Sequence, residues 1–409
     1  MTELQLRHVF LVLSGATPDS GNAEYWNGDI KWVTPEDVGS LNGYWLEDTR
    51  RKITQAGYES CGTNLAPPKS VVLTKRAPIG QLAILVNEAC SNQGCFLLIP
   101  RHDTDTRFFY YWLYAKSEFL QALGSGSTFM ELSTDELKSL KVPLHSLRIQ
   151  CAIADDLDAE TARLDELVAA KERLLELLAE KRRALITHAV THGLDSRASL
   201  HDSGIPWIEQ IPAHWEIRRA KFMFCQSSLP VRDEDEMVTC FRDGQVTLRK
   251  NRREEGFTNA IKELGYQGIR NGQLVLHSMD AFAGAIGVSD SDGKCSPEYI
   301  ICDPIEPRVV NAYYGYLLRV MALNGFIQAS CPAVRERAPR IRFSDFGEML
   351  LPIPTQEEQV AIASHIAMET AKLDTLRAAT ERTIALIKER RTALIVAAVT
   401  GQMPVEDCR

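Results

Sequence analysis

Residues 142–192 read VPLHSLRIQCAIADDLDAETARLDELVAAKERLLELLAEKRRALITHAVTH, and residues 351–401 read LPIPTQEEQVAIASHIAMETAKLDTLRAATERTIALIKERRTALIVAAVTG. The two stretches align without a gap at a constant offset of 209, and about half of the positions are identical. Matched pairs include Pro143/Pro352, Gln150/Gln359, Ile153/Ile362, Glu160/Glu369, Leu164/Leu373, Asp165/Asp374, Arg182/Arg391, Leu185/Leu394 and Thr191/Thr400. A repeat held in one register over this length marks a repeated structural unit.

Both copies read as long helices. Leu157, Leu164, Lys171, Leu178 and Leu185 fall seven apart, with Leu167, Leu174 and Ala189 between them. The second copy has Ile366, Leu373, Thr380, Ile387 and Leu394, with Leu376 and Ile384 between. A sustained seven-residue apolar repeat is the signature of a coiled coil, and no proline interrupts either helix. At 1.5 Å per residue, about 40 residues make a rod of ~60 Å. One such helix leaves its apolar stripe open, and two in one chain can cover each other. Because a folded segment lies between them, an antiparallel pair is the simpler geometry. The alternative is two unrelated exposed coiled coils that bind other chains.

The order along the chain is globular, helix, globular, helix. The boundaries fall at 1–141, 142–199, 200–350 and 351–409. The first globular part carries the strand-like runs SVVLTKRAPIG and CFLLIPR, and the second QLVLHSM, GAIGVSD and EYIICDP, punctuated by Gly and Pro. Each then has an aromatic stretch of helical character, at 108–123 and 311–326, and ends in a β-like run at Pro143 or Pro352. The fold class expected is α/β (α+β): two globular domains joined by two long helices that form an antiparallel coiled coil. The globular parts share this outline but almost no sequence, so the scaffold is repeated while what it carries differs.

Composition narrows the function. The chain has 409 residues, 45% apolar and 24% charged, ordinary values for a globular protein of more than one domain. No apolar run approaches the roughly 20 residues of a membrane span. The opening MTELQLRHVFLVLSG lacks a basic n-region and a small-residue cleavage site, which points to the cytoplasm. The ten cysteines form no C-x-x-C pair, so reduced, mostly buried thiols are expected and no metal site. Net charge is −8 and is spread evenly. Residues 1–141 carry 13 Lys+Arg against 16 Asp+Glu, and residues 200–350 carry 18 against 20. Any nucleic-acid contact must therefore come from local clusters of cations.

The motifs of several enzyme classes are missing. There is no G-x-x-x-x-G-K-[ST] loop, no G-x-G-x-x-G, no H-E-x-x-H and no Asp/Asn-Pro-Pro-aromatic run. Local cationic clusters are present. The first globular part has Lys75 and Arg76 after a strand-like run, Arg50-Arg51-Lys52, Arg101 and Arg107, with Ser127 and Thr128 as polar neighbours. The second has Arg249, Lys250, Arg252 and Arg253, then Arg335, Arg337, Arg340 and Arg342. Arginine suits phosphate clamping and bidentate reading of guanine, whereas the plain alternative for each is solvated charge paired with an acid. Asn92, Gln93, Asn251 and Gln267 are further polar candidates.

The pattern resembles the specificity subunits of type I restriction–modification systems over essentially the whole chain. The residues that carry the resemblance are GATPDSGNAEYWNGDIKWVTPEDV, SGSTFMELSTDELKSLKVP, HDSGIPWIEQIPAHWEI and VRERAPRIRFSDFGEMLLPIPTQEEQVAIASHI. The P-x-x-EQ-x-x-IA lead into a long helix is kept in the second copy through Glu358, Gln359, Ile362 and Ala363, whereas the first copy has Ile149 in place of the Glu. The second half also has the lead-in DSGIPWIEQIPAHWE (202–216), while the first opens directly on its globular segment, a start read as naturally short or misplaced. The resemblance implies two target recognition domains that read the halves of an asymmetric, split double-stranded DNA site, with the helices as a ruler between them. It implies two methyltransferase (modification) subunits and restriction subunits as partners, and a role in phage defence. S-adenosylmethionine, ATP and magnesium would belong to those partners, and this chain would not be an enzyme. The other classes open at this stage are a coiled-coil adaptor without a DNA role and a stand-alone DNA methyltransferase or nuclease.

Overall fold

A computed structural model describes residues 3–41, 43–76, 78–124, 131–252, 265–330 and 340–402. The chain forms two compact units, Met1–Glu172 with Glu381–Arg409, and Arg173–Thr380.

The first unit is built on a five-stranded sheet in the order Phe10–Ser14, Cys95–Pro100, Val71–Thr74, Leu82–Leu85, Trp45–Leu46. Every neighbouring pair is antiparallel except the last. Val71–Thr74 and Leu82–Leu85 are buried throughout, because both faces of the sheet are covered. This is why they read as unbroken apolar runs rather than alternating ones. The aromatic stretch forms helix α1 (Thr106–Ala115), capped by Asp105, whose carboxylate accepts the backbone N–H groups of Arg107 and Phe108. Its Phe109 stands edge-on to Phe10 of the sheet, ring centroids 5.3 Å apart. Helix α2 (Ser117–Leu123) follows, then α3 (Thr134–Ser139), opened by a capping box of Ser133 and Glu136. Lys141–Pro143 pairs with Glu3–Gln5 and leads into α4, one helix of 46 residues (Leu147–His192).

The second unit repeats this plan. A four-stranded antiparallel sheet runs in the order Phe224–Gln226, Tyr299–Pro304, Leu274–His277, Ile286–Val288. Helix α5 (Asn311–Leu323) sets Tyr314 edge-on to Phe224 at 5.3 Å, as α1 does with Phe109 and Phe10. Helices α6 (Phe326–Ser330) and α7 (Phe343–Gly347) follow, and Leu350–Ile353 pairs with Glu216–Arg219. Helix α8 (Gln356–Val399) closes the order.

Both units contain an antiparallel pairing of α4 with α8. In the first, Ile153, Ala154 and Leu157 share a core with Ile395 and Val399. Asp165 pairs with Arg391 at 2.9 Å and Glu172 with Lys388 at 3.4 Å. In the second, Ile186, Ala189 and Val190 share a core with Ile362 and Ile366, and Arg182 pairs with Asp374. Asp165/Asp374 and Arg182/Arg391 are repeat-mates, so the two ion pairs are one interaction made twice, reciprocally. Leu157, Leu164, Leu178 and Ile366 of the expected seam are buried, and Leu185, Leu373, Ile387 and Leu394 are partly buried.

The structure corrects part of the second row of the seam. Ala189 and Ile384 are buried as expected, but Leu167 and Leu376 are 45% and 47% exposed, and Leu174 is only partly buried. Thr161 and Thr370 point inward instead. Their hydroxyls donate to the carbonyls of Leu157 and Ile366 at 2.6 and 2.7 Å, which satisfies the polar group within its own helix.

The repeated glutamines join each long helix to its globular part. Gln150 Oε1 accepts the Asp105 N–H at 2.9 Å, and its Nε2 donates to the carbonyls of His145 and Asp103. Gln359, fully buried, does the same with Val310 N–H at 2.8 Å, Pro354 O at 2.9 Å and Arg308 O at 3.0 Å. Among the described residues no helix is long and apolar enough to cross a membrane.

Candidate nucleic-acid interface

The cations singled out in the sequence fall into two groups. In the first unit Lys75, Arg76 and Arg107 are tied to carboxylates of the fold, while Arg50, Arg51 and Arg101 are exposed. Lys75, at the end of Val71–Thr74, is largely buried. It pairs with Glu131 at 3.0 Å, donates to Ser14 Oγ at 3.2 Å and lies 5.1 Å from the Phe96 ring centroid. Arg76 takes the other oxygen of Glu131 at 2.9 Å. Burial alone would raise the Glu131 carboxyl, but the two cations outweigh it and hold it below the usual carboxylate range. Arg107 meets Asp105, Asp155 and Asp158 at 3.0, 2.7 and 2.9 Å. Asp158 also accepts the hydroxyls of Tyr44 and Tyr111, both at 2.7 Å. Burial, then the Asp158 carboxylate, push the Tyr44 phenol far above its ordinary range, so it stays a donor. This cluster clamps α1 to α4, which gives Arg107 an internal position rather than a free surface one. Ser127 and Thr128 lie outside the described residues.

Arg51 is a different case. Its guanidinium lies 3.7 Å from the Trp26 ring centroid and 5.4 Å from that of Trp32, and the two indoles meet edge-on at 5.1 Å. The side chain is exposed. A cation stacked flat on an aromatic face is held in one orientation at little entropic cost. Composition alone marks Arg51 only as part of a basic triplet; its indole partners lie 25 and 19 residues upstream.

In the second unit the cations gather on one ridge. The strands Val238–Cys240 and Val246–Leu248 form an antiparallel hairpin, followed by a 3-10 turn at Arg249–Asn251. Arg249 Nε donates to Thr239 Oγ1 at 3.2 Å, and Lys250 pairs with Glu236. Arg252 pairs with Asp243 at 2.6 Å and lies 4.4 Å from the Phe241 ring centroid. Arg242, on the connecting turn, reaches Asp280 at 2.9 Å. Exposed pairs of this kind are worth ~0–1 kcal/mol, so a phosphate can take the cation from its carboxylate. Arg340 meets Glu298 at 3.3 Å. Arg342 donates its backbone N–H to Asp345 at the start of α7 and has an exposed side chain. Arg253, Arg335 and Arg337 lie outside the described residues. Of the polar candidates, Gln267 is turned inward to the Tyr299 and Ser296 carbonyls, Asn92 accepts the Gly94 N–H, and Asn251 bonds Thr247. Gln93 accepts from Thr17. Among the described residues no group of three or more His, Cys, Asp or Glu is placed to hold a metal ion.

Residues 1–177 match the family model described as the type I restriction modification DNA specificity domain. Over 152 residues the chain is 35% identical to the type I restriction enzyme MjaIX specificity subunit of Methanocaldococcus jannaschii, covering 37% of this chain and 35% of that protein. It is 26% identical over 151 residues to the EcoR124I/EcoR124II specificity subunit of Escherichia coli, covering 35% and 37%. These matches thus span about a third of the length of the curated relatives. Two solved structures are similar along nearly the whole chain. One comes from work on complex assembly and conformational transition of the type I R-M system, with a TM-score of 0.70, 13% identity and 98% of each chain covered. The other is the HsdS subunit from Thermoanaerobacter tengcongensis, with a TM-score of 0.57, 14% identity, and 98% of this chain and 97% of that one covered. At these identities the structural likeness speaks for the fold. Residues 1–177, the first globular part and much of α4, are therefore similar to the type I restriction modification DNA specificity domain, and nearly the whole chain shares the fold of these two solved structures.

Proposed function

We propose that this chain is the non-catalytic DNA-recognition subunit of a type I restriction–modification complex. It reads an asymmetric bipartite double-stranded site, and it scaffolds two methyltransferase subunits and the restriction subunits. The observation that carries the reading is the contrast between scaffold and surface. The Gln150/Gln359 stitches and the two Asp–Arg pairs are made identically in both units, whereas the cations are not. Arg51 rests on two indoles, whereas Arg252 of the ridge lies over the single Phe241 ring and pairs with Asp243. Unlike readers on a repeated scaffold call for unlike half-sites, and two modest readers in one chain gain affinity through effective concentration. Any base flipping takes place in a partner's pocket, so S-adenosylmethionine, ATP and magnesium belong to the partners. The setting is the cytoplasm, in defence against phage.

Methylation mapping tests this reading directly. In cells expressing the chain with its neighbouring methyltransferase, adenine methylation is expected at one asymmetric split motif and disappears when the chain is omitted. A folded, bound methyltransferase with no new motif overturns it in favour of the adaptor. Exchanging Arg249, Lys250 and Arg252 for Ala is expected to weaken DNA binding by the assembled complex. The log–log salt slope should become shallower by up to about 3, roughly one for each phosphate that no longer meets a cation. An unchanged slope removes the ridge from the interface.

A further inference from the structure

The basic triplet Arg50-Arg51-Lys52 leads into a small sheet of the first unit, in which Trp26–Val33 pairs antiparallel with Lys52–Ile53 and parallel with Cys90–Ser91. Its three cations are held differently. Arg50 reaches Glu36 at 3.5 Å and Lys52 reaches Asp48 at 3.1 Å, exposed pairs that solvent screens. Arg51 makes no ion pair among the described residues. It is anchored at both ends instead. Its carbonyl accepts the Trp32 N–H at 3.3 Å and the Thr49 hydroxyl at 2.7 Å, and its guanidinium covers the Trp26 ring.

The platform beneath it is fixed. Trp26 and Trp32 are 9% and 3% exposed, and their indole N–H groups donate to the carbonyls of Asp19 at 3.1 Å and Ala16 at 3.0 Å. The strand that carries them bulges: Trp26 and Ile30 both face Ile53, with Asn27, Gly28 and Asp29 between them. Asn27 takes the left-handed conformation at φ 62°, and a Cβ on Gly28 would stand 2.5 Å from the Ile53 carbonyl oxygen. Bulges re-aim side chains and recur beside functional sites.

Stacking occupies the face of a guanidinium and leaves its in-plane N–H donors at the edge. With no carboxylate to share them, Arg51 offers a parallel pair of donors in a fixed orientation at an exposed position. Residues 19–59 hold eight Asp or Glu against Lys31, Arg50, Arg51 and Lys52, so this stretch is a poor phosphate clamp. The matching ligand is an uncharged group with two adjacent acceptors in one plane. In the major groove of double-stranded DNA that group is guanine, through O6 and N7. Resting on the DNA-recognition reading above, we propose that Arg51 is a specificity-determining residue whose guanidinium reads one guanine in the half-site met by the first unit.

The test uses the full chain assembled with its neighbouring methyltransferase. Methylation mapping with the unaltered chain supplies the motif. With Arg51→Lys, one G·C position of one half-site should relax while the other half-site is unchanged. Lysine keeps the charge and an aliphatic stem for Trp26 but not the planar fork. In duplex binding, 7-deazaguanine, which lacks the N7 acceptor, replaces each guanine of the motif in turn. The unaltered complex should bind one such duplex roughly tenfold more weakly, the effect of losing one hydrogen bond to a charged group, and Arg51→Lys should lose that discrimination. The 7-deazaguanine series uses the unaltered protein, so it decides the matter even where a variant folds poorly. The role of Arg51 is overturned if no guanine responds to it, or if Arg51→Lys leaves the motif unchanged. It is equally overturned if Arg51→Ala weakens all duplexes alike with a salt slope shallower by about one, the mark of a phosphate contact. No motif from the unaltered chain, with the methyltransferase folded and bound, overturns the DNA-recognition reading itself and the role of Arg51 with it.

Discussion

Replacing Gln359 by Leu tests the stitch that joins the second long helix to its globular part. The side chain is fully buried, and its three hydrogen bonds go to backbone groups on two separate stretches, Arg308–Val310 and Pro354. Leucine fills nearly the same volume but accepts and donates nothing. The carbonyls of Arg308 and Pro354 each keep a second lone pair, so their loss is modest, about 0.5–1 kcal/mol each. The Val310 N–H has one proton and no substitute, and leaving a buried donor unmet costs about 1–3 kcal/mol. Better solvation of leucine in the core returns part of this, so the net expected loss is ~3 kcal/mol, near a hundredfold in the local folding equilibrium. Urea unfolding measures the total, and hydrogen exchange places it. Amides at Val310–Tyr313 should exchange faster, while those near Gln150 should be unaffected. Gln150→Leu should do the converse, speeding exchange at Asp105–Phe108. The double variant should add within ~0.5 kcal/mol, because the sites share no partner. A loss below 1 kcal/mol, or unchanged exchange at Val310, would refute the view that this glutamine holds the joint.

Other expectations can be checked on the same protein. Arg182→Ala should cost under about 1 kcal/mol, because both partners of the Arg182–Asp374 pair are more than a third exposed and solvent screens them. Leu178→Pro, in the middle of α4, should cost ~3 kcal/mol or more and abolish the α4–α8 pairing by circular dichroism. His277 accepts the Asp280 N–H on Nδ1 and lies edge-on to Tyr299. Burial lowers its pKa despite Asp280 and Glu298, with Arg242 acting in the same direction as burial. The unfolded chain therefore binds the proton more readily, so stability should fall as pH drops through the unfolded value near 6.5, and His277→Gln should flatten that fall in urea titrations. Burial pushes the thiols of Cys90, Cys95 and Cys295 up to about 12, while Cys225 is exposed. In peptide mapping after alkylation at pH 8, Cys225 should label in the native protein, and the three buried thiols only after denaturation.

How far the sequence could be read depends on whether a feature is periodic or merely close in space. The repeat, the long helices and their antiparallel sense were legible because apolar spacing and register are one-dimensional properties. The strand runs around Val71 and Leu274 were legible for the same reason. Part of the second row of the seam was not: Ala189 and Ile384 are buried as their spacing indicates, but counting leucines favours Leu167 and Leu376, whereas Thr161 and Thr370, whose hydroxyls are satisfied by their own helix, turn inward. Lys75 and Arg107 read as surface cations because nothing in their local sequence shows Glu131, or Asp155 and Asp158, folding onto them. The Asp105-x-Arg107 pattern was the one available hint, since an N-cap carboxylate there sits beside the arginine. That Ile149 stands in the first copy where the second has Glu358 was visible as a departure, but that the Glu358 carboxylate meets His214 Nε2 at 2.8 Å and accepts from Trp215 Nε1 at 3.4 Å needed the fold.

The interleaving of the chain sets a timetable for its synthesis. The core of the first unit takes Ile395 and Val399 from the last helix, yet the rest of that unit emerges from the ribosome before the 208 residues of the second. At ~5–20 residues per second, the α4 face around Ile153 and Leu157 waits roughly 10–40 s for its cover, whereas the second unit is contiguous and can close as it emerges. The nascent chain thus carries an open apolar stripe through half of its translation, and that interval is when a chaperone or an early-arriving partner has access to it.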